Sequence, residues 1–527
     1  MIGLESLSLS IHGTPILRDI DLSIAPGKVT GLVGESGSGK SMTALAIMGL
    51  LPNGSDVSGA VRLGDENLLN VSERRLCDIR GNRIGMIFQE PMTALNPVKT
   101  IGDQVAETLL IHGRAERREA RRIAGEKLAR VGLGHMPLTR FPHELSGGQR
   151  QRVAIAMAIA LHPELLIADE PTTALDVTTQ AQILDLLNEI VDEEGMSLLL
   201  ITHDLAVVAG MADHVAVMKE GEIVEQDATE PLFRNMNHPY TKALFAASSH
   251  QPDRKPLPVT DAILTADAVV RDYPTARPSL FAPPGRFRAV NEVSFTLGKG
   301  ESLGLVGESG CGKSTLTRAI LGLDPIQGGR ITAFEREVGP DFPNALRAGI
   351  QVVFQDPYGS FNPRWTVERL VSEPFHLMPS PPKDRRARVA EALTDVGIDP
   401  SAMDRYIHEF SGGQRQRIAI ARALITKPDL IVLDEAVSAL DVSVRAQVLD
   451  LIARLQAEHG LSYIFISHDL SVVRSITDRV MVMRAGEIVE EGVTETVFTD
   501  PQHDYTRTLI AATPRIPDDW QEDGQHA

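Results

Sequence analysis

Apolar runs that stop abruptly on charged or polar residues recur along the chain. LLIADE at 165–170, LLLITHD at 198–204, LIVLDE at 430–435 and YIFISHD at 463–469 are apolar on both faces for four to six residues. Such runs predict central strands of a parallel sheet, covered on both sides. Helical periodicity occupies 178–194 and 444–458. Strand and helix alternate, so the expected class is α/β, in which ligands meet residues at the carboxyl ends of parallel strands. Asp169, Glu170 and His203 stand at such ends, as do Asp434, Glu435 and His468. No apolar run reaches the roughly 18 residues that a membrane span needs, so a membrane role would come through a partner. The first residues, MIGLESLSLS, lack the basic start and apolar core of an export signal, and the chain is expected to stay where it is made.

The pattern is also written twice. GESGSGKS at 34–41 returns as GESGCGKS at 307–314, and Ser146 and Ser411, Glu170 and Glu435, His203 and His468, and Tyr240 and Tyr505 share one offset of 265 residues. A period this long is a whole domain per copy rather than a solenoid repeat. The expected division is a first domain over 1–250, an exposed, proline-bearing linker over 251–260 and a second domain over 261–527. The proline-rich stretch 274–285 is expected to be a surface loop, and the last residues, PRIPDDWQEDGQHA, a frayed tail.

Composition narrows the functional classes. The chain has 527 residues, with 52 Lys and Arg against 70 Asp and Glu, a formal charge of −18 that opposes broad contact with a polyanion. No nucleic-acid partner is expected. Hydrophobic residues make up 43%, enough to bury large cores. Two cysteines, Cys77 and Cys311, are too few for a disulfide framework or a four-cysteine metal site and suit a reducing compartment.

The loop Gly34-Glu35-Ser36-Gly37-Ser38-Gly39-Lys40-Ser41 lies between an apolar strand and a helical stretch, the order that G-x-x-x-x-G-K-[ST] requires. Its glycines let successive N–H groups point into one concavity, Lys40 brings a charge to terminal phosphates, and Ser41 offers a hydroxyl to Mg²⁺. Gly307, Ser309, Gly310, Gly312, Lys313, Ser314 and the following Thr315 repeat the arrangement. One such match could be a plain Gly-rich turn; two in register could not. Asp169-Glu170 and Asp434-Glu435 supply one carboxylate for a metal-bound water and a second to orient an attacking water. Ser146-Gly147-Gly148 and Ser411-Gly412-Gly413 open helices with free N–H groups for an anion, although an N-cap serine needs no ligand.

Taken together, both halves resemble ATP-binding-cassette ATPases over nearly the whole chain. The resemblance implies two tandem P-loop NTPase domains, each with a mostly parallel sheet, an antiparallel β subdomain and a helical subdomain. It implies ATP and Mg²⁺ as cofactors. Residues 34–41 and 307–314 would be the Walker A loops, Asp169 and Asp434 the Walker B aspartates, and Glu170 and Glu435 the catalytic bases. Gln89 and Gln355 would be the Q-loop residues, His203 and His468 the switch histidines, and Leu175-Asp176 and Leu440-Asp441, each preceded by an alanine, the D-loops. Ser41, Gln89 and Asp169, and Ser314, Gln355 and Asp434, would hold the metal. In the family, ATP on Lys40 is closed by Ser411, Gly412 and Gly413, and ATP on Lys313 by Ser146, Gly147 and Gly148.

FQEPMTALNP and PHELSGGQRQR in the first copy, FQDPYGSFNPR in the second, and the tails NHPYTKALFAA and HDYTRTLIAATP resemble the peptide, dipeptide and nickel importer group. That likeness implies two transmembrane permease subunits, a periplasmic solute-binding protein and a place on the cytoplasmic face of the inner membrane. The tails lack the cysteines with which some relatives bind an iron–sulfur cluster. A soluble tandem ATPase acting on ribosomes or nucleic acid is the competing reading; the short linker and the negative charge weigh against it. The adenine-stacking residue is open between His12 in the first copy and Tyr273 or Phe287 in the second. Cys311, in a phosphate loop at a helix start, is open between a favoured, reactive thiolate and a small residue that merely fits the loop.

Overall fold

The computed structural model describes residues 2–90, 94–173, 175–254, 257–275, 285–356, 358–438 and 440–521. The chain divides into two compact units. The first comprises 1–175, 179–249 and 514–527, and the second 176–178 and 250–513.

In the first unit a six-stranded sheet runs in the order Glu222–Ala228, His214–Lys219, Val29–Val33, Ser197–Thr202, Leu165–Asp169, Ile84–Ile87. Only the first pair is antiparallel. The continuous apolar runs follow from burial on both faces. Leu165 and Ile167 point into one core with Ile47 and Val61, while Leu166 and Ala168 point into another with Ile155 and Leu187. A four-stranded antiparallel sheet, ordered Thr14–Ile24, Ile2–Ile11, Ser55–Leu63, Glu66–Asn67, supplies the first of these cores. The helices Ile101–Ile111, Arg117–Arg130 and Gly147–Ala158 supply the second.

The second unit repeats the plan. Its six strands are Ile350–Val353, Leu430–Asp434, Ser462–Ile466, Ser302–Val306, Arg479–Arg484 and Glu487–Val493. Its antiparallel sheet is Gly285–Gly298, Ala262–Thr275, Gly328–Ala333, Arg336–Glu337. Strand residues again alternate between two cores, Ile431 and Leu433 in one and Leu430 and Val432 in the other. The helical region differs: Val367–Val371 is a short helix passing into a 3₁₀ turn, Glu373–Leu377, where the first unit has the eleven-residue helix Ile101–Ile111. Pro374, at the start of that turn, has no N–H to continue the ladder.

Two expectations need correction. The end of the chain is not frayed up to Gln521. Asp518–Gln521 forms a helical turn, Trp520 packs on Phe233 with ring centres 5.8 Å apart, and Arg234 donates to the Asp519 carbonyl at 2.7 Å and to its carboxylate at 2.5 Å. The linker is not simply exposed either. Pro252 is buried, Arg254 bonds Asp478 and Gln456, and His250 meets Asp450 at 2.7 Å. Of the 274–285 loop, 276–284 lie outside the described residues, as do the alanines at the head of each D-loop. The basic run at 114–122 is a solvated helix face, with Arg122 paired to Glu119 and Glu126 on its own helix.

Candidate functional site

Each Gly-rich loop joins a buried strand to a helix that begins at its lysine, Lys40–Met48 in one unit and Lys313–Ile320 in the other. Gly39 and Gly312 are left-handed N-caps, with φ of 106° and 115°. A side chain on Gly34 would meet the Met218 carbonyl at 2.3 Å, and one on Gly307 the Met483 carbonyl at 2.1 Å. Both lysines are buried and fold back over the loop. Lys40 Nζ donates to the carbonyls of Gly34 at 2.7 Å and Glu35 at 2.9 Å; Lys313 Nζ donates to Gly307 at 2.7 Å and Glu308 at 2.8 Å. The sheet order places the ends of the strands Leu165–Asp169 and Ser197–Thr202 beside this loop, and those of Leu430–Asp434 and Ser462–Ile466 beside its counterpart.

The acidic pairs are brought onto the loops as their strand ends predict. Ser41 Oγ donates to Asp169 Oδ1 at 3.1 Å. Glu170 and Glu435 take left-handed backbone conformations, φ 46° and 50°, which are costly for a glutamate. The neighbouring strand holds them there: the amide N–H of Glu170 donates to the Ile201 carbonyl and that of Glu435 to the Ile466 carbonyl, each at 2.9 Å. Gln89 Nε2 donates to Glu170 Oε2 at 2.8 Å, and Gln355 Nε2 to Glu435 Oε2 at 2.7 Å. His203 Nδ1 lies 3.3 Å from Glu170, and His468 Nδ1 lies 3.4 Å from Glu435.

Burial and these partners separate the two carboxylates of each pair. Burial pushes the Asp169 carboxyl up, the Ser41 hydroxyl pulls it back, and the Glu170 charge adds to the rise. Asp434, buried beside the Glu435 charge, is pushed up to about 6. Burial also works against ionised Glu170, but His203, the Thr173 hydroxyl at 2.9 Å and the Lys40 charge outweigh it and hold the carboxyl at about 2. Glu435 is likewise lowered, with His468 overcoming burial.

Ser146 and Ser411 cap their helices, each Oγ accepting the N–H of Gln149 or Gln414 at 3.3 and 3.4 Å. A Cβ on Gly148 would meet Thr179 at 2.4 Å and one on Gly413 would meet Val444 at 2.3 Å, so glycine there admits the following long helix. Among the adenine candidates, His12 sits in the turn after the first strand with its ring against Gly54. Strand pairing makes Tyr273 the counterpart of Ile11, not of His12. Tyr273 donates to Asp324 at 3.0 Å and carries Arg271 4.5 Å from its ring centre, while its cross-strand partner Phe287 is 54% exposed.

Of the two readings of Cys311, the favoured thiolate is overturned. The side chain is buried, and burial raises the thiol against the opposing charge of Lys313. Sequence reasoning gave no role to Thr173, nor to the tail tyrosines, whose contacts are described below. Thr173 carried no motif signal of its own; the tyrosines shared the repeat offset and could have been flagged by it.

The ABC transporter family matches residues 17–173 and 290–438, and the oligopeptide/dipeptide transporter C-terminal region matches 224–260 and 489–526. The chain is 46% identical to the peptidoglycan transport ATP-binding protein YejF of Agrobacterium fabrum, covering 98% of this chain and 97% of that one. It is 45% identical to the glutathione import ATP-binding protein GsiA of Escherichia coli, covering 94% and 86%. Among the described residues no helix is long and apolar enough to cross a membrane. A duplicated phosphate loop with its acidic strand end, matched over more than half of the chain, assigns it to the ABC transporter family, as the ATP-binding and ATP-hydrolysing subunit of an importer.

Proposed function

We infer that the chain powers uptake of a peptide-like solute, working from the cytoplasmic face of the inner membrane through two transmembrane permease subunits supplied by a periplasmic solute-binding protein. The observation that carries this reading is the pairing of two intact phosphate sites with two copies of the oligopeptide-transporter C-terminal region. Relatives named for peptidoglycan and glutathione transport support a peptide-bearing cargo.

The residue roles follow from the chemistry of the site. Ser41 and Asp169, with Gln89, and Ser314 and Asp434, with Gln355, form hard-oxygen sets that fit Mg²⁺; a buried Asp434 pushed up to about 6 is a carboxylate short of positive charge. When bound, the cation neutralises phosphate charge. Lys40 and Lys313 exchange their loop carbonyls for the terminal phosphates, which the loop N–H groups cradle. Glu170 and Glu435 are lowered and so ionised at neutral pH. Each accepts a hydrogen bond from the attacking water, orients it and serves as the catalytic base. Gln89 and Gln355 restrain the two glutamates and couple them to the permease. His203 and His468 present the ring nitrogen opposite the glutamate to the transferring phosphate. In the ATP-bound state Ser411, Gly412 and Gly413 close the nucleotide on Lys40, and Ser146, Gly147 and Gly148 that on Lys313. Hydrolysis removes the shared charge and lets the closed state relax.

Co-expression with the permease tests the reading. The chain should fractionate with membranes only when the permease is present, and peptide-loaded binding protein should stimulate its ATPase. Sedimentation with ribosomes or DNA at physiological salt, without membrane association, would overturn it.

A further inference from the structure

The C-terminal extension of each unit reaches the phosphate loop through one tyrosine. The Glu35 amide donates to Tyr240 Oη at 3.2 Å, and Tyr240 Oη donates to the Glu35 carboxylate at 3.3 Å. In the other unit the Glu308 amide donates to Tyr505 Oη at 3.0 Å. A cation covers each ring: Lys219 Nζ lies 5.1 Å from the Tyr240 ring centre and the Arg484 guanidinium 4.9 Å from that of Tyr505.

The tyrosines belong to a closed circuit of hydrogen bonds. His238 Nδ1 caps the helix Pro239–Ser248 by accepting the Tyr240 N–H at 3.2 Å, and His503 caps Asp504–Ala511 in the same way at 3.1 Å. Glu225, on the strand Glu222–Ala228, accepts the N–H groups of Asn237 at 2.7 Å and His238 at 3.2 Å. Glu490 does so for Gln502 at 2.7 Å and His503 at 3.1 Å. The turn preceding each of those strands returns to the loop: the Gly221 N–H donates to the Ser38 carbonyl at 3.0 Å, and the Gly486 N–H to the Cys311 carbonyl at 2.8 Å.

The loop is thus gripped at two points by the C-terminal part of its own unit. The middle is held by the turn. The start is held by the lysine on two carbonyls and by the tyrosine on the amide between them. We propose that Tyr240 and Tyr505 are positioning residues for the phosphate loops, fixing the amide of the second loop residue so that the nucleotide-binding N–H groups beyond it are preset. The C-terminal extension thereby sets nucleotide affinity. Mere packing would need only a ring. The hydroxyl is used in both units, although the residue between the loop glycines, Ser38 or Cys311, and the cation on the ring, Lys219 or Arg484, have both changed.

The test uses the full chain with Tyr240→Phe, Tyr505→Phe and both together, titrated with a methylanthraniloyl-labelled ATP. Each single change should weaken one of the two sites roughly three- to tenfold, the range of one lost hydrogen bond. The double change should weaken both, with the thermal midpoint unchanged. Hydrogen exchange supplies a second readout. In nucleotide-free wild type the Glu35 and Glu308 amides should exchange slowly, and in the double variant they should be released. Unchanged affinity in folded variants, with or without a fall in midpoint, would overturn the proposal. Should a variant not fold, fast exchange of those two amides in the wild type would overturn it equally. Wild-type binding of the labelled ATP is the control that separates this failure from a loss of ATP binding altogether.

Discussion

The two units carry the same motifs, yet their acidic pairs are not solvated alike. In the first, Ser41 lies on Asp169 and Thr173 lies on Glu170, so each carboxylate has a hydroxyl of its own. In the second, Ser438, the counterpart of Thr173, turns its hydroxyl to the Glu435 carbonyl at 2.9 Å, and among the described residues no hydroxyl bonds the Asp434 carboxylate. Burial raises both aspartates, but only Asp169 has a hydroxyl that pulls it back, and Asp434 stands at about 6; both glutamates are lowered, and only Glu170 has a threonine hydroxyl that helps. Identical motifs therefore do not make identical sites. What separates them is a threonine against a serine three residues past the glutamate, with the hydroxyl turned to the carboxylate in one and to the carbonyl in the other, and one serine hydroxyl on the loop.

The largest effect that would break the comparison comes from the glutamates. Glu170→Gln and Glu435→Gln, made separately with the permease present, should each cut transport-coupled turnover by about 10²-fold or more if both sites fire in one cycle. Full turnover surviving either change would mean that only the other site works. Phosphate release under multiple turnover is the measurement.

Much of this was legible from the chain. Runs such as 165–170 and 463–469 announced buried parallel strands because both faces are covered, and the phosphate loops announced themselves by glycine spacing. Less legible were features that depend on contacts distant in sequence. Trp520 sits in a polar tail that reads as frayed, and only Phe233 and Arg234, far back in the chain, give it somewhere to dock. Cys311 is open to reading as an activated thiol at a helix start; burial reverses that, and no local pattern announces burial of a single loop side chain. Likewise, strand register rather than residue type decides that Tyr273 answers to Ile11.

Cys311 gives the next largest contrast, because the first unit has Ser38 in its place. The exposed Cys77 should react promptly with a disulfide reagent at pH 7.5, and Cys311 roughly tenfold more slowly or worse. A thiol raised by burial stays protonated to higher pH, so the Cys311 rate should still be climbing above pH 9.0. A Cys311 rate equal to that of Cys77 at pH 7.5 and flat above pH 9.0 would refute the buried, neutral thiol.

The seats of the two tail helices should respond to acid in the same direction. Burial opposes ionised Glu225 and Glu490, but the adjoining hydroxyls of Thr241 and Thr506 and the backbone N–H groups outweigh it, leaving both carboxyls below their usual value of 4.5. A lowered carboxyl contributes stability that is present above that pH and lost as pH falls through the folded value. Hydrogen exchange of 237–248 and 502–511 should therefore quicken, relative to the central strands, only below pH 4.5. Glu225→Gln should bring faster exchange of 237–248 at pH 7 while leaving 502–511 unchanged.

The finest distinction lies in Thr173 and Ser438. Thr173→Val removes a donor from the Glu170 carboxylate and replaces it with a group of similar shape, so the carboxyl should rise while staying ionised at neutral pH, and the oxygen that orients the water loses one of the bonds that fix it. One hydrogen bond between neutral and charged groups corresponds to roughly 1.5–3 kcal/mol at most, and partial compensation by Gln89 and His203 brings the expected change in turnover to about two- to tenfold. Ser438→Ala removes a hydroxyl that, among the described residues, bonds a carbonyl and not the carboxylate, and should leave turnover within experimental scatter. If both changes act equally, the rotation of Ser438 has no functional weight, and the two acidic pairs are equivalent in the working enzyme despite their different partners in the resting chain.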